Sequence, residues 1–124
     1  VKKCYNEPMN WDNLRFFSAS EFRRPHLMDE VFMVTLDQIR EDAGFPFKIN
    51  SSHRNDVENE AVGGAKESAH MEVPCRCVDI HVANSWQKYE LVGAAFEHGI
   101  EGIFLYPTHV HLDRSPTLPR PRLK

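Results

Sequence analysis

The segment His109-Val110-His111-Leu112-Asp113 alternates ligand-type polar side chains with apolar ones, and this restricts the fold more than any other feature of the chain. Period two places His109, His111 and Asp113 on one face of a strand and Val110 and Leu112 on the other. Cys77 to Val82 reads as a second strand of the same kind, with Asp79 and His81 on one face and Val78 and Ile80 opposite. Side by side, two such strands offer one apolar face to a core. Their other face brings Asp79 and His111 to one place.

The rest of the chain supplies the cover for the apolar face. Leu27 to Ala43 reads as a helix, with Val31, Phe32, Leu36, Ile39 and Ala43 at helical spacing and Gly44 as its stop. Ser85 is placed to cap a second helix over Trp86 to His98, with Leu91, Val92, Ala95 and Phe96 inward and Gly99 at its end. Ser18 and Glu21 form a capping-box pattern for a short helix. Phe45 to Asn50 reads as a strand, and Val57 to Ala61 as one helical turn within a polar loop. Gly102 to Tyr106 and His109 to Asp113 read as a hairpin turning at Pro107-Thr108. The order predicts an α+β fold: a small antiparallel sheet with helices packed on one side. The tail from Ser115, SPTLPRPRLK, is expected to run as extended surface chain.

A chain of 124 residues is expected to form one domain over 1–124, large enough for a core without disulfides or a structural metal. A net charge of −3 without a long basic block argues against a nucleic-acid partner. No apolar run is long enough to span a membrane, and the first residues lack the apolar core of a signal peptide. A monomer is expected. Three cysteines, Cys4, Cys75 and Cys77, do not make a disulfide framework, although a pairing of Cys4 with one of the others stays open. Cys75 and Cys77 read as one buried thiol and one passive loop thiol.

With His70 in the preceding loop, Asp79 and His111 make a His, Asp, His set. Three protein donors are the number used by catalytic zinc sites, whereas structural sites are closed by four. A Zn²⁺ ion so held keeps a charge of about +1, polarises a carbonyl and lowers the pKa of water toward about 7. An H-x-H pair alone is also common as an incidental surface pair. A closed site from Cys75, Cys77 and two histidines is the alternative, against the usual C-x₂₋₄-C spacing.

A longer pattern runs through FSASEF, SSHRNDVENEAVGGAKESAH, VDIHV and GIFLYPTHVHLD. It resembles the murein zinc peptidases, which include D-alanyl-D-alanine carboxypeptidases and phage or bacterial peptidoglycan endopeptidases. Their fold also resembles the amino-terminal signalling domain of hedgehog proteins. Ser51, Arg54, Asn59, Val62, Gly63, Gly64, Ala65, Ser68 and His70 fall at the family's offsets. The resemblance implies His70, Asp79 and His111 as ligands of one Zn²⁺ and His109 as a catalytic histidine. It implies Arg54 as a catalytic and substrate-binding group that binds or polarises the substrate's carboxylate or carbonyl, and Ser68 as a substrate-binding residue that hydrogen-bonds near the metal. Asp113 is placed to orient His109 or His111. The chain departs from the pattern in two ways. The interval from His70 to Asp79 is two residues longer and lacks a glycine, and Ser52 replaces the glycine of S-G-x-R.

The implied activity is hydrolysis of peptide bonds in the stem peptides or cross-links of peptidoglycan, in the cell wall or periplasm. Delivery would be by phage release, by a virion or by a signal since removed. His109 is the candidate for proton transfer or oxyanion stabilisation, because Thr108 stands where the E-x-x-H carboxypeptidases carry glutamate. Arg54 offers a forked donor to a carboxylate. Trp11, Trp86 and Tyr106 are candidates for lining a groove, with core packing as the alternative. Two other functional classes stay open: a zinc-binding module of the same fold without catalysis, and a structural virion protein.

Overall fold

Residues 9–124 are described here by a computed structural model; Cys4, and the question of its pairing, lie outside the described residues. Among the described residues three α-helices, α1 (Glu30–Ala43), α2 (Asp56–Ala61) and α3 (Ser85–Glu97), accompany five strands. These are β1 (Ile49–Ser51), β2 (Cys77–His81), β3 (Gly102–Leu105), β4 (His109–Asp113) and β5 (Arg122–Leu123). They form one sheet in the order β1-β2-β4-β3-β5. The expected α+β architecture is present, and the expected hairpin is β3–β4. The sheet is antiparallel except at one edge, where β5 runs parallel to β3. That edge strand comes from the proline-rich tail, which therefore ends in paired backbone and not in free surface chain.

The apolar face follows the period-two reading. Val78, Ile80, Val110 and Leu112 are fully buried and share one core with Phe32, Met33, Leu36 and Ile39 of α1 and Leu91 and Ala95 of α3. Two helix-face assignments are corrected. Val31 and Phe96 were expected inward but are 68% and 70% exposed. Each lies five residues from a core leucine, Leu36 or Leu91. At 3.6 residues per turn that is roughly 140° around the helix. Met33 and Ala94 take the inward positions instead.

Local chemistry sets the element ends. α1 starts at Glu30 and not Leu27, because Pro25–Leu27 forms a separate 3₁₀ turn. Asp29 then caps the helix, its carboxylate accepting from Phe32 N at 2.9 Å. α3 is capped by Asn84, not by Ser85, through Gln87 N at 2.9 Å. Ser18 and Glu21 do pair, Glu21 Oε2 accepting from Ser18 N at 2.8 Å, but around a 3₁₀ turn only. The strand expected from Phe45 begins later, at Ile49. Phe45 and Phe47 belong instead to an aromatic cluster with Phe17, Phe22 and Trp11. The long interval before Asp79 is pinned away from the sheet's polar face: Cys75 bridges Met28, with Cys75 N donating to Leu27 O at 2.7 Å and Asp29 N to Cys75 O at 2.9 Å.

Buried Asp37 of α1 holds the N-terminal segment, accepting from Arg15 N at 3.1 Å and Phe16 N at 2.9 Å. Asp37→Ala removes the buried carboxylate that accepts these two part-buried, charge-assisted bonds and should cost about 1–3 kcal/mol. Asp37→Asn, which keeps an acceptor, should cost less. Urea denaturation midpoints measure both; an unchanged midpoint for Asp37→Ala contradicts this anchoring role.

Candidate metal centre

Strand register assembles the site in rows. Asp79 of β2 pairs with His111 of β4, and His111 pairs in turn with Phe104 of β3. One row toward the strand's start, His81 pairs with His109. One row the other way, Cys77 pairs with Asp113 and Asp113 with Gly102. All these side chains face away from the helices, as alternation requires.

His70 arrives from a 3₁₀ turn, Ala69–Met71, that Ser68 caps by accepting from His70 N at 3.2 Å. Its path is set by the Gly63-Gly64 turn. A Cβ at Gly64 would lie 2.1 Å from Oδ1 of buried Asn59, whose amide donates to Ala65 O at 2.8 Å. Gly63 takes a left-handed φ of 68°. Arg54 N donates to His70 O at 2.8 Å, tying the arginine-bearing segment to the same turn.

Three polar atoms then converge. Asp79 Oδ1 lies 3.2 Å from His70 Nε2 and 3.1 Å from His111 Nδ1. The remote nitrogens are also held: His70 Nδ1 by Ser52 O at 2.7 Å and His111 Nε2 by Asp113 Oδ2 at 2.6 Å. Each ring therefore meets an acceptor at both nitrogens. Without a cation among them, both rings would need a proton on each nitrogen to satisfy these contacts. A zinc ion between Asp79 and the rings satisfies the same acceptors with neutral imidazoles. Tetrahedral donors at about 2.0–2.1 Å from zinc lie roughly 3.3 Å apart, close to the two spacings from Asp79 Oδ1 to the imidazole nitrogens. Remote nitrogens held by a carbonyl and a carboxylate are the usual supports of metal-binding histidines. The residues present fit a zinc ion.

A second donor set overlaps the first. Ligand atoms of His70, Cys77 and His111 lie within 4.8 Å of one another. Cys77 Sγ is 3.7 and 3.8 Å from the two nitrogens of His111, so it sits beside the ring and not along either lone pair. Cys77 is fully buried and does not line the adjoining cavity, whereas His70, Asp79 and His111 do. Both Cys75 and Cys77 are buried free thiols, so neither is the passive loop thiol expected. Burial pushes the Cys75 thiol up to about 12 and the Cys77 thiol well above its ordinary value.

The cavity has a volume of about 910 Å³ and also exposes Arg54, Ser68 and His109. Arg54 Nε is buried with no hydrogen-bond partner among the described residues. His109 stacks on Tyr106, centroids 4.4 Å apart and planes within 10°, which leaves its ring edge for other groups. Of the three groove candidates only Tyr106 lines the cavity; Trp11 packs on Phe22 and Trp86 on Phe45. Asp113 is fully buried beneath His111, so it orients that histidine and not His109.

Several contributors were not singled out from sequence. Ser52, noted only as a departure, supplies the carbonyl that holds His70. Phe104 stacks on His111, centroids 4.7 Å apart. Arg122 pairs with Asp113. Ser52 acts through its backbone, and Arg122 sits in a two-residue strand too short to show a period. Phe104 had a readable signal, since it faces His111 in the hairpin register.

The family model described as Peptidase M15 matches residues 16–113. The chain belongs to this family of zinc murein peptidases of the D-Ala-D-Ala carboxypeptidase and endopeptidase type. No curated protein sequence matches the chain.

The charges around the centre predict a pH dependence. Burial disfavours the His111 imidazolium, but the hydrogen bonds to Asp113 and Asp79 outweigh it and raise its pKa. Burial also opposes the Asp79 carboxylate, yet its bonds with His111 and His70 hold its pKa far below the usual range. A raised His111 binds more protons folded than unfolded. Its contribution is present below about pH 6.5 and lost as pH rises through the folded value. The Asp79 contribution is present above about pH 4 and lost on acidification. Metal-free protein should therefore lose thermal stability from about pH 6.5 upward, while stabilisation by added zinc grows over the same interval. Thermal melts with chelator and with zinc test this; a metal-free melting temperature that rises from pH 6 to 8 contradicts it.

Proposed function

We propose that the protein is a zinc peptidase that hydrolyses peptide bonds in the stem peptides or cross-links of bacterial peptidoglycan. The supporting observation is the convergence of Asp79 Oδ1 with His70 Nε2 and His111 Nδ1 on the wall of a cavity. In this reading His70, Asp79 and His111 hold the ion and Asp113 fixes the ring of His111. When bound, zinc supplies the positive charge that polarises a carbonyl and acidifies water.

The chain's own groups do the rest. Arg54 presents its guanidinium to the cavity without a carboxylate partner among the described residues, and a substrate carboxylate would fit it as a forked pair. His109 takes the proton from the attacking water and returns one to the leaving amine. Its stacking on Tyr106 fixes the ring while leaving both nitrogens accessible. Ser68 keeps His70 in place, its hydroxyl oxygen accepting from the His70 backbone N–H. The site of action is the cell wall or periplasm. Among the described residues no helix is long and apolar enough to cross a membrane.

A second reading has its own observation. If Cys77 joined His70 and His111 around the ion, the centre would sit behind the cavity wall and serve as a zinc-binding module without hydrolysis. The position of Cys77 Sγ beside the His111 ring, and its absence from the cavity lining, weigh against it.

Metal analysis and mass spectrometry of muropeptides test the proposal together. Zinc-loaded protein should release peptide fragments from purified peptidoglycan, and the fragments identify the bond and whether cleavage is terminal or internal. His109→Ala should retain zinc and lose about 10²–10⁴-fold in rate. His70→Ala, Asp79→Ala and His111→Ala should each lose zinc, whereas Cys77→Ala should retain it. Unchanged zinc content in the first three, or its loss on Cys77→Ala alone, contradicts the ligand set.

A further inference from the structure

We propose that Arg122, on the C-terminal edge strand, is a positioning residue of the metal centre, acting through Asp113 on His111. The inference rests on the ligand set proposed above and adds a residue beyond the family-matched segment, which ends at 113. β5 is held against β3 by backbone bonds that include Arg122 N to Glu101 O at 2.6 Å, Lys124 N to Ile103 O at 3.0 Å and Leu105 N to Lys124 O at 2.6 Å. This pairing puts Arg122 in register with Gly102, which is itself in register with Asp113.

Gly102 is the gap that lets the two meet. A Cβ there would lie 2.5 Å from all three atoms of the Asp113 carboxyl group. Over that gap the Arg122 guanidinium reaches Asp113 Oδ2, the same oxygen that holds His111 Nε2. Asp113 Oδ1 is taken by Ser115 N at 3.1 Å. Arg122 also lies over the Phe104 ring, 5.2 Å from its centroid, and Phe104 stacks on His111. The guanidinium thus bears on His111 both in its plane, through Asp113, and on its face, through Phe104. Asp113 is fully buried, and a buried carboxylate needs a cation to stay ionised and in place. An arginine provides one at any working pH.

The test uses the full chain. Zinc affinity is measured by competition with a chromophoric chelator, and ligand geometry by the visible spectrum of the Co²⁺-loaded protein. The proteins are wild type, Arg122→Met, Arg122→Lys, Asp113→Asn and the Arg122→Met/Asp113→Asn double variant. Removing a group that supports a metal ligand costs about 10–100-fold in affinity; Arg122, one bond further out, should cost about 3–30-fold and shift the Co²⁺ bands. Arg122→Lys should recover part of that loss. In the Asp113→Asn background, Arg122→Met should cost less than about twofold more, because its path to His111 is already cut. Circular dichroism reports folding. If Arg122→Met does not fold, the lysine variant and the double variant, which buries no unpaired charge, carry the comparison. Wild-type affinity and spectrum in Arg122→Met, or an equal loss with and without Asp113→Asn, would overturn the inference while leaving the ligand set standing. Failure of the wild type to bind zinc would remove the ligand set and the inference with it.

Discussion

The pairing of Asp79 with His111 across β2 and β4 is the contact on which the rest of the site depends. A slip of one residue between these strands would turn Val78 or Ile80 toward the polar face and drop Asp79 into the core. The register is held because the opposite face is committed. Val78, Ile80, Val110 and Leu112 are all fully buried against α1 and α3, and exposing such side chains costs about 1.5–3 kcal/mol each. The hydrophobic core therefore does chemical work at one remove, by fixing which side chains stand opposite one another on the other face.

That face is organised by an excess of acceptors. Ser52 O, Asp79 and Asp113 surround two imidazoles that together offer too few protons unless both are charged. An arrangement of this kind is satisfied either by two charged imidazoles or by a divalent cation with neutral ones. Arg122 tempers one end of the excess by pairing with Asp113. Around the centre, Asn59 and the two glycines shape the approach of His70, and Arg54 and His109 open onto the cavity beside it.

Much of this was legible in the chain. The period-two segments gave the strands, their facing and the Asp79–His111 meeting, because burial on one side leaves a regular mark. The lengthened interval before Asp79 preserved parity, so the carboxylate still faces the site. Other features left no mark of that kind. Val31 and Phe96 are a different case: their five-residue spacing from Leu36 and Leu91 already puts each roughly 140° off the stripe, and only their apolar character suggested burial. The tail reads as polar and proline-rich, and two residues of edge strand carry no period; its role depends on a gap at Gly102 visible only in three dimensions. Cys77 lies on the same face as Asp79 by parity, so sequence alone does not separate a thiol from a carboxylate as the third donor.

That choice of donor is the central claim, and X-ray absorption at the zinc edge addresses it directly. The zinc-loaded protein should show nitrogen and oxygen neighbours at about 2.0–2.2 Å and no sulfur shell. A sulfur neighbour at about 2.3 Å would place Cys77 on the metal and contradict the account.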